Sequence, residues 1–372
     1  MTIVGVPTEI KTDERRVGLT PNSVNELAEA GHVVLVQSGA GAGIGASDDD
    51  YERVGATIVA TAEDVFDKAA MIVKVKEPLA QERAMLHEGH LLFTYLHLAA
   101  DEAQTRELLD SGATCIAYET VTSPHGGLPL LTPMSQVAGR MATQAGAHYL
   151  EAPNGGSGKL IGGVPGVPGA NVVVIGGGVV GENAIEIAIG MGAKVSVLDR
   201  NPAALERLEK RFGAALDTIH SNAATTWNAV VDADLVIGAV LIPGATAPKI
   251  VTEDMIREMR AGSVVVDVAI DQGGCMETSR PTTHSEPTFV VHDVVHYCVA
   301  NMPGAVPATS TYALNNATLP FTMELAELGA KAAVMFDEHL RNGLNIANGH
   351  VTEPSVAEVF DLEYVEPLTA LH

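Results

Sequence analysis

The sequence predicts an α/β protein in which parallel sheets are covered by helices and the chain forms two domains. Runs rich in Val, Ile and Leu alternate with amphipathic helical patterns along nearly the whole chain, which is typical of βαβ units. Aromatic residues make up only 4% of a chain that is 47% hydrophobic, and aliphatic side chains suit strands buried on both faces. The 372 residues exceed what one hydrophobic core usually organises, so we expect two domains.

The pattern places strands and helices in a regular order. The predicted strands are 2–6, 32–37, 71–76, 91–96, 172–175, 194–198, 218–220, 235–239 and 263–270. The predicted helices are 21–31, 132–150, 180–191, 202–212 and 309–341, with one more that begins after residue 47. Thr20 and Ser47 are predicted N-caps, each followed by a favourable first turn. The alternation is strongest after Asn171, where it is the doubly wound signature.

The charge balance excludes two classes of partner. The chain carries 46 Asp and Glu against 22 Lys and Arg, a formal net charge of −24 at pH 7. Nucleic acids and anionic membranes require a basic surface, so we expect neither as a partner. The acidity has two interpretations that the sequence leaves open, a heavily solvated surface or adaptation to high salt.

Three cysteines, Cys115, Cys275 and Cys298, lie far apart without paired spacing. An odd and sparse set favours reduced thiols in the cytoplasm over a disulfide framework or a zinc site. The apolar start at 1–7 lacks the features of a signal peptide. The longest strongly apolar stretch, 235–242, is far shorter than the ~18–20 residues that cross a bilayer. We therefore predict a cytoplasmic protein without a membrane segment.

A glycine-rich segment predicts a dinucleotide site. Residues 176–181, Gly-Gly-Gly-Val-Val-Gly, fit the pattern G-x-G-x-x-G, follow a predicted strand and open a predicted helix, and Asp199 ends the next strand. Gly176 permits the tight turn, Gly178 lets the backbone approach a pyrophosphate, and Gly181 allows close packing of helix on strand. The helix N-terminus offers its N–H groups to the phosphates.

Asp199 predicts NAD in preference to NADP as the cofactor. Its carboxylate accepts hydrogen bonds from the ribose 2′-hydroxyl but repels a 2′-phosphate. Arg200, directly after it, weakens that preference. Two alternatives stay open at this point: Asp199 caps the following helix, or the glycine turn belongs to the adenosylmethionine site of a methyltransferase.

Two other motifs carry weaker signals. Residues 155–160, Gly-Gly-Ser-Gly-Lys-Leu, suggest a phosphate loop, but Leu160 stands where Ser or Thr holds magnesium and Pro153 where the first glycine belongs. His292 and His296 are four residues apart, but no Glu stands beside the first as in a zinc helix. We therefore predict no metal site.

Chemistry on a small amino or keto acid requires a cation for the carboxylate, an acid or base for the heteroatom on C2, and a position facing the nicotinamide. The candidates are Arg16, Lys76, His97 and Asp271. The last three close predicted strands, and ligands collect at the carboxyl ends of strands in open α/β sheets. Alternation puts Lys74 and Lys76 on one face, so periodicity does not choose between them. The alternatives are solvated strand ends for Lys76 and His97, and a turn cap for Asp271.

The sequence resembles bacterial alanine dehydrogenase from end to end without large gaps. The motifs that carry the resemblance are 5–9 (Gly-Val-Pro-Thr-Glu), 16–17 (Arg-Val), 74–78 (Lys-Val-Lys-Glu-Pro), 94–98 (Thr-Tyr-Leu-His-Leu), 133–135 (Pro-Met-Ser), 269–274 and 297–303. The resemblance implies reversible, NAD-dependent oxidative deamination of L-alanine to pyruvate and ammonia through an imine and a carbinolamine. It also implies that Arg16 and Lys76 hold the substrate carboxylate and that His97 and Asp271 form the catalytic pair.

The resemblance further implies a domain plan and a cofactor site. We expect two doubly wound, Rossmann-like domains and a homohexamer, with the cofactor domain 129–304 inserted into a discontinuous substrate domain formed by 1–128 and 305–372. The residues expected to line the NAD site are Ser135, Gly176, Gly178, Val179, Val180, Gly181, Asp199, Ser221, Val240, Leu241, Val268, Ala269, Ile270, Asp271, Arg280, Val299, Ala300, Asn301 and Met302. One departure is Ala204, which stands where some family members have a lysine beside the adenine ribose, so we do not expect that contact in this chain.

Two alternatives to this function stay open from the sequence. One is a dehydrogenase for another small amino acid, such as glycine or 2-aminobutyrate, because side-chain selectivity rests on apolar pocket walls that a sequence does not place. The other is a non-catalytic, transhydrogenase-like subunit that binds NAD. The complete set of Arg16, Lys76, His97 and Asp271 favours a dehydrogenase.

Overall fold

A computed structural model describes residues 1–240 and 247–371 of the chain. Its strands are β1 (Ile3–Val6), β2 (Val33–Gln37), β3 (Thr57–Val59), β4 (Met71–Val73), β5 (Leu91–Thr94), β6 (Thr114–Ala117), β7 (Asn171–Ile175), β8 (Lys194–Asp199), β9 (Leu216–His220), β10 (Leu235–Gly238), β11 (Val264–Asp267), β12 (Thr288–Val291), β13 (Val294–Tyr297), β14 (Leu344–Ala347) and β15 (His350–Val351).

The α-helices alternate with these strands. They are α1 (Pro21–Glu29), α2 (Asp48–Glu52), α3 (Ala62–Lys68), α4 (Ala80–Arg83), α5 (Glu102–Ser111), α6 (Thr132–Tyr149), α7 (Val179–Gly190), α8 (Pro202–Phe212), α9 (Ala223–Val231), α10 (Glu253–Glu258), α11 (Pro307–Phe336), α12 (Glu338–Arg341), α13 (Pro354–Phe360) and α14 (Pro367–Ala370). Thr20 and Ser47 are the N-caps of α1 and α2, as predicted. Within the described residues, no helix has both the length and the apolar character that a membrane span requires.

The chain folds into two compact units. Unit 1 comprises Met1–Met134 and Gly304–His372, and unit 2 comprises Ser135–Pro303. Unit 1 is thus built from two separate stretches of chain, and unit 2 from the stretch between them. The sequence predicted domain borders at 128/129 and 304/305. In the structure, the first border lies between Met134 and Ser135, within α6.

Unit 1 contains a sheet in the order β15-β14-β6-β5-β4-β1-β2-β3. Strands β1 to β6 pair in parallel, while β14 pairs antiparallel with β6 and with β15. The chain proceeds from β1 toward β3 on one side and from β4 toward β6 on the other, so the winding direction changes between β1 and β4. In open α/β sheets, the strand ends at such a change form the usual ligand crevice.

Unit 2 contains a second sheet, in the order β12-β13-β11-β10-β7-β8-β9. Its pairs are parallel except for the pair of β12 with β13. The winding direction of this sheet changes between β7 and β10. Two sheets dominated by parallel pairs, each wound in both directions, confirm the predicted fold class.

Aliphatic and aromatic side chains form a separate core in each unit. In unit 1, Phe66 and Leu92 share one buried cluster with Ile346, so the returning stretch of chain completes the core that the first stretch begins. In unit 2, Val174 of β7 packs in one cluster with Ile185 of α7. Each such side chain contributes about 1.5–3 kcal/mol when it is fully buried, so residues of both stretches add to the stability of unit 1.

Strands β4, β5 and β11 are shorter than the predicted runs 71–76, 91–96 and 263–270. In each case a carboxylate accepts backbone N–H groups just beyond the observed strand end. The carboxylate is that of Glu9 beyond β4, Glu119 beyond β5 and Asp267 beyond β11. The predicted functional residues that follow these strands therefore lie in turns held by side chains, where strand alternation no longer applies.

Candidate active site

Arg16 lies in unit 1 between β1 and α1, and its guanidinium is buried. Its Nε donates to Glu14 Oε1 at 2.7 Å, its Nη2 donates to Glu14 Oε2, and its Nη1 contacts the sulfur of Met134 at 3.1 Å. Burial acts to lower the pKa of Arg16, but the hydrogen bonds and the charge of Glu14 outweigh it and raise the pKa. Arg16 is therefore a buried, permanent cation with one edge held by a carboxylate.

The two lysines after β4 have different surroundings. Lys74 is fully buried, and its Nζ donates to Glu82 at 2.6 Å and to Glu9 at 3.1 Å. Burial acts to lower the pKa of Lys74, but these two carboxylates raise it. Lys76 is half-buried. The pKa of the next residue, Glu77, is lowered. Burial alone would raise it, but hydrogen bonds and nearby positive charge, chiefly that of Lys76, outweigh the burial. Lys74 is thus a structural cation, and Lys76 is the better candidate for binding a ligand.

A cavity of about 350 Å³ lies beside Arg16 in unit 1. Its walls include Glu9 and Glu14 together with the glycine-rich turn 39–43. A larger cavity of about 540 Å³ lies in unit 2 between α6 and residues 158–161, but none of the predicted site residues is among its described walls. The smaller cavity is therefore the one that adjoins a predicted substrate anchor.

His97 follows β5 in a left-handed backbone conformation, with a φ of 51°. The carboxylate of Glu119 holds this turn, because it accepts the N–H of Leu96 at 3.1 Å and that of His97 at 2.5 Å. Glu119 Oε1 also lies 3.7 Å from His97 Nδ1, and the imidazole stacks parallel to the ring of Tyr95. The side chain of His97 is 47% exposed, so its imidazole is both held in place and accessible.

The glycine turn 176–181 of unit 2 joins β7 to α7 under tight steric limits. Gly176 has a φ of 102°, and a Cβ on Gly181 would lie 1.8 Å from the carbonyl oxygen of Gly176. Gly178 caps α7 without a side-chain hydrogen bond, and no described atom lies within 4 Å of the place where its Cβ would be. Open backbone at the N-terminus of a helix is the donor set that a pyrophosphate requires. The residues present therefore fit a dinucleotide.

Asp199 ends β8, and its carboxylate contacts the glycine turn. Its Oδ2 accepts the N–H of Gly177 at 2.6 Å, and its Oδ1 accepts that of Asn201 at 2.8 Å. The N-cap of α8 is Asn201, whose side chain accepts the N–H of Ala203, so the interpretation of Asp199 as that helix cap is wrong. Arg207 Nη2 donates to the carbonyl oxygen of Gly177 at 2.7 Å. Two charged side chains thus fix the peptide groups of the turn.

Asp271 is exposed and lies in the short 3-10 helix directly after β11. Its Oδ1 accepts the N–H of Asn301 at 3.2 Å, and Asn301 has a left-handed φ of 57°. Asp267 holds the same loop, because it accepts the N–H of Cys275 at 2.9 Å and the hydroxyl of Ser279 at 2.6 Å. Burial raises the pKa of Asp267 against the opposing effect of these hydrogen bonds.

Most of the predicted cofactor residues gather at one edge of the sheet of unit 2. They end or follow strands β7, β8, β9, β10, β11 and β13, whose carboxyl ends share that edge because the strands are parallel. In chain order these are Gly176, 178–181, Asp199, Ser221, Val240, 268–271 and 299–302. Ser135 lies in α6, and the guanidinium of Arg280 lies over the ring of Phe289 at 4.2 Å. Leu241 lies outside the described residues.

The two histidines considered for a metal have separate partners. His292 Nε2 lies 2.8 Å from Glu253, and His296 Nε2 lies 2.8 Å from the hydroxyl of Thr278. In residues 1–240 and 247–371, no three His, Cys, Asp or Glu side chains are grouped so that they could hold a metal ion.

Several carboxylates that organise these positions were missed in the sequence. They are Glu9, Glu14, Glu82, Glu119 and Asp267. Glu14 had a local signal, because it stands two residues before Arg16 in the charged run Asp-Glu-Arg-Arg at 13–16. Glu9 and Glu119 had no local signal of this kind, because the backbone groups that they bind, those of Val75 and His97, are 66 and 22 residues away along the chain.

Comparison with known proteins assigns both parts of the chain to one family. Residues 5–138 match the model of the alanine dehydrogenase/PNT N-terminal domain, and residues 142–354 match that of the alanine dehydrogenase/PNT C-terminal domain. The second matched stretch continues past unit 2 into the returning stretch of unit 1. The methyltransferase interpretation of the glycine turn is therefore wrong.

Individual relatives extend this similarity over nearly the whole chain. The alanine dehydrogenase of Halomonas elongata is 59% identical over 363 residues, which covers 98% of this chain and 98% of that protein. A solved L-alanine dehydrogenase has a TM-score of 0.94 at 51% identity and covers 96% of this chain and 99% of that one. A transhydrogenase from Sinorhizobium meliloti has a TM-score of 0.81 at 28% identity and covers 95% and 99%. The resemblance inferred from the sequence motifs is confirmed.

The different surroundings of the two lysines predict different effects on stability. Lys74→Met should lower the free energy of unfolding by about 3–5 kcal/mol, because it leaves Glu9 and Glu82 as uncompensated buried carboxylates. Lys76→Met is the matched control and should change it by less than about 1 kcal/mol. Urea unfolding followed by circular dichroism measures both variants. Equal losses, or a larger loss for Lys76→Met, would contradict the structural assignment of Lys74.

Proposed function

The chain belongs to the alanine dehydrogenase/PNT family, and from this membership we propose that it catalyses the reversible oxidative deamination of L-alanine to pyruvate and ammonia with NAD. The strongest single support is the similarity, over nearly the whole chain, to proteins named alanine dehydrogenase. The groups that this reaction needs also occur where ligands collect, at the carboxyl ends of the parallel strands of each unit. A non-catalytic, transhydrogenase-like subunit that only binds NAD would not require these groups.

The glycine turn and the strand ends beside it would hold the nicotinamide dinucleotide. Main-chain N–H groups at the start of α7 would bind the pyrophosphate, and Gly178 leaves room for it. The dinucleotide would supply the hydride acceptor, or in the reverse direction the hydride donor, for C2 of the substrate. The remaining residues proposed to line this site are Ser135, Val179, Val180, Ser221, Val240, Val268, Ala269, Ile270, Arg280, Val299, Ala300, Asn301 and Met302.

The preference for NAD over NADP would come from Asp199. Its carboxylate is held beside the turn by the N–H of Gly177, so a ribose 2′-hydroxyl there would meet an acceptor and a 2′-phosphate would meet a like charge. Arg207 does not offset this charge, because it is engaged by Glu182 and by the carbonyl of Gly177. Ala204, which stands where some family members have a lysine, adds no positive charge.

Arg16 and Lys76 would hold the substrate carboxylate. Glu14 occupies the Nε side of the Arg16 guanidinium, whereas Nη1 contacts the sulfur of Met134. A thioether is a weak acceptor, and a charged carboxylate forms a much stronger hydrogen bond with a guanidinium. A substrate would therefore replace the contact with Met134, and Lys76 would add a second positive charge.

His97 and Asp271 would carry the proton transfers. Oxidation at C2 leaves an imine, water adds to give a carbinolamine, and loss of ammonia leaves pyruvate, so protons move on both nitrogen and oxygen. An imidazole gives and takes protons near neutral pH, and Glu119 keeps that of His97 in one place. The carboxylate of Asp271, held by the N–H of Asn301, would orient the water or stabilise a cationic intermediate.

We further propose that L-alanine, pyruvate and ammonia are the partners besides the cofactor, and that the protein is a cytoplasmic homohexamer. Family membership supports the assembly. The three cysteines are free and buried, which fits a reducing compartment. The excess of acidic residues supports the absence of nucleic acids and anionic membranes among the partners.

The proposed activity predicts NADH formation from L-alanine and NAD, with kcat/KM higher for L-alanine than for glycine or 2-aminobutyrate. His97→Ala and Asp271→Asn should each lower turnover by about 10²–10⁴-fold, while NADH binding, measured by fluorescence titration, stays near the wild-type value. The double variant should be little worse than the worse single variant. Near-normal turnover of His97→Ala, or losses that multiply, would contradict these roles. Higher kcat/KM for another amino acid would assign a different substrate.

The open space at Gly178 predicts a substitution that separates folding from cofactor binding. Gly178→Ala should cost at most about 1 kcal/mol of stability, since its Cβ meets no described atom. The same Cβ would hold a pyrophosphate away from the helix N-terminus, so the NADH dissociation constant should rise about tenfold or more. Gly190→Ala, at the other end of α7 and equally open, is the control and should bind NADH normally. Equal NADH binding by the two variants would place the pyrophosphate elsewhere.

The charge of Asp199 predicts the outcome of a cofactor comparison. Asp199→Asn keeps the size and one acceptor oxygen for the turn but removes the charge, so it should narrow the NAD/NADP ratio of kcat/KM by about tenfold, equivalent to ~1.4 kcal/mol of repulsion. Asp199→Ala should narrow it as well and also weaken the binding of NAD. Steady-state kinetics with both cofactors measures the ratio. An unchanged ratio in both variants would mean that selectivity lies at other residues.

A further inference from the structure

Glu9 links the two strands at which the sheet of unit 1 changes its winding direction. It follows β1, and its carboxylate reaches residues that follow the neighbouring strand β4. Its Oε1 accepts the N–H of Val75 at 2.6 Å and that of Lys76 at 3.3 Å, and its Oε2 accepts Nζ of Lys74 at 3.1 Å. Glu9 is 8% exposed and forms part of the cavity wall beside Arg16.

These contacts hold the backbone at Lys76, beyond the end of β4. The N–H of Lys76 has Glu9 as its acceptor, and the carbonyl oxygen of Lys76 accepts the hydroxyl of Thr94 at 3.0 Å. A side chain that binds substrate must be held within about half an ångström of its productive position. The position of a lysine ammonium depends on the position of the backbone from which its side chain extends. The backbone position at Lys76 is therefore set by side chains from two other segments.

We propose that Glu9 is a positioning residue of the reaction, which places Lys76 and thereby the substrate carboxylate. This inference rests on the proposed role of Lys76 in binding that carboxylate. Position 9 requires a carboxylate, because donors approach both of its oxygens. An amide has one oxygen and an NH₂ group, so a glutamine there would set donor against donor, either at Lys74 or at the N–H groups of Val75 and Lys76.

Glu82 provides a matched comparison, because it is the second carboxylate that Lys74 contacts. Its Oε1 accepts Nζ of Lys74 at 2.6 Å, and its Oε2 accepts the N–H of Leu79 at 2.9 Å. Its side chain is as buried as that of Glu9, and a glutamine there would be deficient in the same way. The two carboxylates differ in the backbone that they hold, which is that of Lys76 for Glu9 and that of Leu79 for Glu82. If both served only to compensate Lys74, their substitutions would act equally on catalysis.

The experiment compares Glu9→Gln, Glu82→Gln and Lys76→Met in the full chain during the reductive amination of pyruvate with NADH and saturating ammonia. The KM for pyruvate, kcat, the NADH dissociation constant and the unfolding midpoint are measured for each variant. Glu9→Gln should raise the KM for pyruvate about tenfold, the equivalent of one charged hydrogen bond, with kcat and NADH binding near the wild-type values. Glu82→Gln should lower the unfolding midpoint about as much as Glu9→Gln but leave the KM for pyruvate unchanged.

A double variant separates the failure of this inference from that of the proposed function. Lys76→Met should raise the KM for pyruvate by itself, and Glu9→Gln should then add little, because its effect passes through the lysine. If Lys76→Met leaves this KM unchanged, the proposed role of Lys76 is wrong and the inference falls with it. If Lys76→Met raises it, but Glu9→Gln acts like Glu82→Gln or the two KM effects multiply, the inference alone is overturned.

Glu9→Asp keeps the proposal testable if Glu9→Gln does not fold. The shorter side chain keeps the charge opposite Lys74 but draws the carboxylate one methylene away from the N–H of Lys76. A folded Glu9→Asp protein with a raised KM for pyruvate and normal NADH binding would support the positioning role. A folded Glu9→Asp protein with the wild-type KM would overturn it.

Discussion

Charge buried at the carboxyl ends of parallel strands is the constraint on which the candidate site of unit 1 depends. The ammonium of Lys74 lies where an unpaired charge would cost several kcal/mol, and it is compensated by carboxylates 65 and 8 residues away along the chain. Those carboxylates also accept backbone N–H groups, so pairing the charge ends the strand and shapes the turn that follows. A structural ion cluster thus determines the conformation of the segment that contains Lys76.

Unit 2 meets the same requirement for a defined turn mainly through steric exclusion. Gly181 leaves no room for a Cβ beside the carbonyl of Gly176, so α7 packs closely on β7 and its N-terminus remains at the sheet edge. Charged groups have a secondary role in this turn, in which Asp199 and Arg207 bind the peptide groups of Gly177. A turn defined by glycines leaves backbone N–H groups for a phosphate, whereas a turn defined by carboxylates leaves cations for a carboxylate substrate.

This difference explains which features the sequence predicts. The fold class, the glycine turn and Asp199 depend on neighbours within about 25 residues, and their periodicity and spacing are visible in the sequence. The choice between Lys74 and Lys76 depends on Glu9, which is brought to β4 only when β1 pairs with it. Alternation failed there because it assumes a strand, and the strand ends at Val73. Partners joined by sheet pairing, like Glu119 and His97, leave no spacing signal.

The backbone of two predicted site residues shows the same principle at the level of conformation. His97 and Asn301 have left-handed φ values of 51° and 57°, which cost of order 1–3 kcal/mol in a residue other than glycine and persist only where the surroundings enforce them. In each unit the N–H of the strained residue donates to a carboxylate, that of Glu119 or Asp271. Hydrogen bonds to charged groups contribute about 1.5–3 kcal/mol, enough to offset the strain. Acidic side chains therefore do more in this chain than solvate its surface, because they hold the backbone in the conformations that its candidate sites require.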